Sequence, residues 1–170
     1  MAQGQKATSS RVCLLVFEVD RLRCAFAASE VREILPMAAL STPPGMPELL
    51  SGLLNVGGEV IPVVAVEAIF GLAYRPCHLH SPLILLGDGE DTLALTAHRV
   101  RELAEVSANE LIPLNDHNTL NDCVTAEFRM EGESVYVLSV PRLLVREERE
   151  RVRSFAKEES RRLELTGESS

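Results

Sequence analysis

Short apolar runs separated by turn residues dominate the first part of the chain. Residues 12–19 read VCLLVFEV, an apolar and β-branched run that predicts a buried strand. Residues 22–28 then alternate with a period of two, which predicts a second strand. Because only Asp20 and Arg21 separate the two runs, we expect them to form a hairpin.

A second pair of strands is joined by glycines. Residues 53–56 and 59–66 are largely apolar and predict two strands, and Gly57 and Gly58 between them tolerate the positive φ angles that tight hairpins require. Pro62 cannot donate a backbone hydrogen bond, so its strand is expected at a sheet edge or at a bulge.

The same order of elements then occurs a second time. Residues 83–86 and 92–97 predict another hairpin. It is followed by VREL at residues 100–103, which matches VREI at residues 31–34 at an offset of 69 positions. Residues 134–140 match the second strand of the glycine-joined pair at an offset of 74 positions. We therefore predict an internal duplication that gives two small β-subdomains.

The two ends of the chain differ from this pattern. Residues 1–10 are polar and are predicted to be disordered. In the last part, Leu144, Val152 and Phe155 form a narrow apolar stripe among charged residues spaced as i,i+4 pairs. We expect a charged helical tail over residues 147–170 that packs one face on the β-subdomains and frays beyond Phe155.

Composition and charge exclude several classes of protein. The chain has no Trp, two Tyr and five Phe, so its core must be largely aliphatic. A formal net charge of -8 argues against nucleic-acid binding and is better matched by a basic partner surface. No apolar run approaches the roughly 20 residues that span a bilayer, and the N-terminus lacks the apolar middle of a secretion signal. We expect a cytoplasmic protein without direct membrane insertion.

Candidate chemistry is sparse. The sequence has no nucleophile elbow, phosphate-binding loop or paired carboxylates, so we predict no enzymatic activity and no cofactor. Cys13 and Cys24 lie in apolar runs and are interpreted as small buried hydrophobes. Three potential metal ligands occur at Cys77, His78 and His80, with Cys24 as a further candidate. A metal or small-molecule sensor at this loop is therefore one alternative.

Residues 52–64 carry a family resemblance. They read GLLNVGGEVIPVV and resemble the hallmark segment of CheW-like domains, G-[LV]-[IL]-N-[LV]-R-G-x-[IV]-[IVL]-P-V-[IV]-D. The LVF at residues 15–17 and the VREI at residues 31–34 agree with this pattern. The resemblance covers residues 11–146. It implies an all-β fold with short helices: two pseudo-duplicated, intertwined SH3-like five-stranded β-barrel subdomains, the second hairpin set starting near residue 82, plus a C-terminal helix.

The resemblance also implies a function. CheW-like proteins are non-catalytic adaptors of bacterial chemosensory pathways. They bind the regulatory domain of a CheA-type histidine kinase and the cytoplasmic tip of a chemoreceptor. Hairpin tips and strand edges suit such contacts because they offer unpaired backbone groups to a partner. By motif match, the partner-binding residues are Val31, Glu33, Asn55, Gly57, Gly58 and Val60.

Two positions depart from the family pattern. Gly57 stands where the family has arginine, and Ala65 stands where it has aspartate. An arginine can bind a carboxylate through two parallel hydrogen bonds, and glycine offers nothing comparable. A divergent member that binds a single partner, without receptor coupling, is therefore a second alternative.

Overall fold

The computed structural model describes residues 10–73, 78–114 and 122–167. In chain order its strands are β1 (Arg11–Val19), β2 (Leu22–Ala27), β3 (Val31–Leu35), β4 (Leu50–Val56), β5 (Glu59–Val64), β6 (Leu83–Leu86), β7 (Leu93–Thr96), β8 (Arg99–Ser107), β9 (Ile112–Pro113), β10 (Val124–Met130) and β11 (Glu133–Leu138). The α-helices of this part of the chain are α1 (Val66–Phe70) and α2 (Arg146–Gly167). Neither helix combines the length and apolarity needed to span a bilayer.

The strands form two sheets, and apart from β9 each sheet combines two strands of one repeat with three strands of the other. The first sheet has the order β8-β1-β2-β11-β10-β9, and the second has the order β3-β6-β7-β5-β4. In sequence β3 follows the β1–β2 hairpin but pairs with β6, whereas β8 follows the β6–β7 hairpin but pairs with β1. Apart from the two-residue β9, the two sheets have the same arrangement, including one parallel pair each. The predicted fold class of two duplicated SH3-like subdomains and a C-terminal helix is confirmed.

The repeated VRE sequence carries the same irregularity in both sheets. β3 has one extra residue at Arg32 where it pairs with β6, and β8 has one extra residue at Arg101 where it pairs with β1. A β-bulge of this kind re-aims a side chain relative to the regular alternation. Arg32 Nη2 lies 3.1 Å from Glu59 Oε2, and Arg101 Nη2 lies 3.5 Å from Glu131 Oε2. The arginine at each bulge therefore forms an ion pair with a glutamate in a hairpin of the same sheet.

Side chains from both sheets share one core. The largest cluster of buried side chains includes Phe17 and Phe26 from the first sheet, and Val64, Ile84 and Leu95 from the second. The two phenyl rings are stacked with centroids 5.0 Å apart. Full burial of one large apolar side chain contributes about 1.5–3 kcal/mol, so this cluster binds the two sheets together.

Pro62 lies within β5, which is an internal strand and not the predicted edge strand. Pro62 pairs with Leu53 of β4, but the parallel pairing of β5 with β7 is confined to Val63 and Val64. At Pro62, β5 therefore has a strand neighbour on one side only. Proline is tolerated at this position for the same reason as in an edge strand, because no neighbouring strand needs its missing N–H there.

The C-terminal helix is longer than the sequence predicts. α2 continues to Gly167, beyond the expected fraying point at Phe155. Val152 is buried in the main core, and Phe155 packs against the same cluster. The i,i+4 pair between Glu158 and Arg162 is present at 3.4 Å. Pairs of this kind add about 0.2–0.5 kcal/mol each to helix stability.

Gly52 in β4 generates a stability prediction. A Cβ atom there would lie 2.7 Å from Leu40 Cβ and 3.0 Å from the Ser41 carbonyl oxygen. Since neither atom is the end of a flexible side chain, we expect Gly52→Ala to lower the free energy of unfolding by about 1–3 kcal/mol in urea titrations. Gly167→Ala adds the same methyl group to open space and is the control. Equal stability of the two variants would contradict the close approach.

Candidate functional site

The exchanged strands line an apolar groove, here named the β3–β8 groove. Its lining includes Val31, Glu33 and Ile34 of β3, Leu103 of β8 and Leu15 of β1, and its volume is about 340 Å³. Ile34 is 42% exposed and Leu103 is 63% exposed. Large aliphatic side chains exposed side by side in a concave surface are typical of a protein-binding site.

The other predicted residues lie at or near the tip of the β4–β5 hairpin. Gly57 and Gly58 have φ angles of 59° and 91°, in the left-handed region that two-residue hairpin loops require. Asn55 Oδ1 accepts a hydrogen bond of 2.9 Å from the Gly58 backbone N–H, so Asn55 stabilises the turn itself. Asn55 and both glycines are exposed, whereas Val60 is half-buried and packs against the main core.

An ion pair connects the groove with the hairpin tip. Arg32 follows Val31 in β3, and Glu59 precedes Val60 in β5. The Arg32 guanidinium donates two hydrogen bonds to the Glu59 carboxylate, at 3.2 and 3.1 Å. The hydrogen bond to Glu59 is the main reason that the pKa of Arg32 is raised. The structure therefore joins the two groups of sequence-predicted residues through one bidentate pair.

The equivalent hairpin of the first sheet, β10–β11, lies within a network of ion pairs. Arg101 Nη1 lies 2.5 Å from Glu18 Oε1, and the same guanidinium reaches Glu131. Arg23, whose side chain is 13% exposed, lies 2.9 Å from Glu133 and 3.3 Å from Glu131. The carboxylates around the β10–β11 tip are thus already paired, whereas the β4–β5 tip presents glycine backbone.

Sequence reasoning missed part of the groove. Ile34, Leu103 and Leu15 were not among the predicted partner-binding residues. A signal was present in the repeated VRE-[IL] sequence, whose fourth residue is a large aliphatic side chain in both copies. The structure places both of these side chains in the same groove with substantial exposure.

The suggested metal site gains no support. Cys77 lies outside the described residues, and His78 and His80 are exposed. Cys24 is fully buried, and burial, with a smaller effect of Cys123, raises the pKa of its thiol. A cysteine must lose its proton to bind a metal, so burial opposes this role for Cys24. The described residues contain no group of three or more potential ligands arranged to hold a metal ion.

Comparison with known proteins agrees with the fold and the motif. The family model described as the CheW-like domain matches residues 14–148. The chemotaxis protein CheW of Thermotoga maritima is 19% identical over 131 residues, which cover 77% of this chain and 86% of that protein. The crystal structure of the scaffolding protein TtCheW from Thermoanaerobacter tengcongensis has a TM-score of 0.68 at 19% identity. That match covers 76% of this chain and 90% of TtCheW.

The cysteines generate a prediction about thiol reactivity. Cys13 is exposed near the start of β1, which corrects the expectation that it is buried, whereas Cys24 is buried as expected. Because the thiolate is the reactive form, we expect iodoacetamide to label Cys13 at least ~10-fold faster than Cys24 in the folded protein. Peptide mapping after brief labelling measures both rates, and denatured protein is the control. Comparable rates in the folded state would contradict the buried position of Cys24.

Proposed function

The chain belongs to the CheW-like domain family, and from this we propose that it is a cytoplasmic adaptor that couples a CheA-type histidine kinase to chemoreceptors. Membership makes it a chemotaxis scaffold protein of a non-catalytic family. The identity of the partners and the assignment of surfaces to them are the proposed part. We further propose that the adaptor domain spans residues 11–146 and that residues 147–170 are an appended helical tail.

The β3–β8 groove is the observation that carries the receptor part of the proposal. A helical hairpin tip binds by laying apolar side chains into a groove between fixed elements. Val31, Ile34 and Leu103 offer the apolar contact, and Glu33 at the rim is exposed for a basic side chain. The groove is lined by strands on both sheets, so the shared core holds its shape.

The β4–β5 hairpin supports the kinase part of the proposal. Gly57 and Gly58 have no side chains at an exposed tip, so a partner can approach the backbone closely there. Asn55 and Val60 flank this tip. We propose that Asn55, Gly58 and Val60 contact the CheW-like regulatory domain of the kinase, and that Gly57, at the family's arginine position, faces the receptor. The net charge of -8 favours a basic surface on that partner.

Gly57 favours a second candidate function. Without the guanidinium of the family pattern at this position, the chain lacks one bidentate contact to a carboxylate. A protein that binds the kinase alone, without a receptor, would need no such contact. The two functions differ in whether the β3–β8 groove binds a receptor tip.

Leu103→Asp tests the groove. Loss of a buried leucine contact is worth about 1.5–3 kcal/mol, so we expect at least ~10-fold weaker binding to a receptor fragment that contains the cytoplasmic hairpin tip. Binding is measured by calorimetry with a fragment from the same organism. The kinase regulatory domain should bind this variant as tightly as it binds the unmodified chain.

Leu79→Asp is the matched control, because Leu79 is 89% exposed and lies outside the groove. An equal effect of the two substitutions would argue against the groove as the receptor site. Binding of the kinase domain alone, with no receptor binding by the unmodified chain, would favour the second candidate function. No binding of either partner would reject the adaptor proposal.

Gly57→Arg tests the departure at the hairpin tip. A Cβ at Gly57 meets nothing within 4 Å, so an arginine fits, although the left-handed φ costs about 1–2 kcal/mol of stability. We expect several-fold stronger recruitment to receptor arrays, measured by co-sedimentation with receptor-containing membranes. Gly57→Ala has the same backbone cost without a guanidinium and should give no gain. Equal recruitment of both variants would show that the missing arginine is not limiting.

A further inference from the structure

The second half of α2 lies across the hairpin that we assign to the kinase. Val152 anchors the helix in the main core. The next residue, Arg153, forms an ion pair with Asp91, and five residues after Val152 the Lys157 Nζ lies 3.3 Å from Glu90 Oε1. Both acidic residues belong to the short 3₁₀ turn between β6 and β7. The helix is thereby held against the second sheet.

This part of α2 faces Val60 and one flank of Asn55 across two crevices. A crevice of about 290 Å³ between helix and sheet has Val60 on one wall and Ala156 on the other. A second recess of about 330 Å³ is lined by Asn55 and Val60 together with Leu163 of the helix. Two of the three residues proposed to contact the kinase therefore lie beside α2.

The contact between this part of α2 and the second sheet buries few side chains. Val152 is the last fully buried residue of α2, and every residue from 161 to 167 is exposed. Leu163 is 50% exposed although it lines the second recess. Lys157 and Glu90 are 59% and 66% exposed, so water and salt screen their attraction. A segment held by few buried contacts opens at low free energy.

We infer that residues 156–167 form a displaceable cover over the β4–β5 hairpin, which competes with the kinase regulatory domain for Val60 and the adjoining flank of Asn55. This inference rests on the proposed function and adds its regulation. A partner that needs the uncovered hairpin binds with an apparent affinity reduced by the fraction of uncovered molecules. The cover thus sets the affinity of the adaptor for that partner.

Charge reversal on the helix tests the cover. In the variant Arg153→Glu with Lys157→Glu, both ion pairs become repulsive. We expect the apparent Kd for a CheW-like regulatory domain from a CheA-type kinase of the same organism to fall about five- to tenfold. Adding Glu90→Lys and Asp91→Arg recreates the pairs with opposite signs and should return the Kd toward its original value.

Arg146→Glu with Arg161→Glu is the matched control. It makes the same change in net charge at exposed positions of the same helix, so long-range steering of the partner is equal in both variants. We expect its Kd to stay within about twofold of the original. A decrease as large as that of the Arg153/Lys157 variant would overturn the cover.

Hydrogen exchange reports on the cover without any partner. We expect the amides of residues 156–167 and of the β4–β5 hairpin to exchange faster in the Arg153/Lys157 variant than in the control. Faster exchange with an unchanged Kd would overturn the cover and leave the adaptor proposal intact. Unchanged exchange together with an unchanged Kd would also overturn it. Absence of kinase binding in every variant and in the unmodified chain would reject the proposed function and the cover with it.

Discussion

The exchange of β3 and β8 between the two sheets is the constraint on which the rest of the structure depends. Each sheet combines a hairpin of one repeat with three strands of the other, so neither repeat can bury its apolar face alone. The shared cluster around Phe17 and Phe26 follows from this arrangement. The β3–β8 groove follows from it as well, since its walls are the two exchanged strands.

Duplication with exchange has given the two halves different surfaces. The same VRE sequence produces a bulge and a bridging arginine in each sheet. In the first sheet Arg101 joins a network with Glu18 and Glu131 that occupies its hairpin. In the second sheet Arg32 binds only the flank of the hairpin, at Glu59, and leaves the glycine tip exposed. One copy has become a reinforced structural element, and the other presents a contact surface.

Local signals in the sequence were sufficient for the strands of the β1–β2, β4–β5 and β6–β7 hairpins and for the glycine turn. Alternation marks a strand and two adjacent glycines mark its turn, because both depend on neighbouring residues only. The exchange was not predictable in this way, since the pairing of β3 with β6 joins residues about 50 positions apart. The family motif predicted Val31 and Glu33 as partner-binding residues. It did not predict Leu103, because the exposure of Leu103 depends on which strand lies opposite β8. From the pattern alone, an aliphatic residue in a strand is predicted to be buried in the core.

The charged side chains of α2 form ion pairs of two kinds, within the helix and with the second sheet. Their spacing along the helix does not distinguish the two kinds. The pair between Glu158 and Arg162 lies within the helix and persists wherever the helix goes. The pairs of Arg153 and Lys157 reach the acidic turn of the second sheet and exist only while α2 is docked. Residues 156–167 therefore keep their internal support when they leave the sheet, while Val152 stays in the core. Weak, screened attractions oppose their departure. Charged contacts at exposed positions suit a reversible cover, because an apolar contact strong enough to fix residues 156–167 would also keep the hairpin covered permanently.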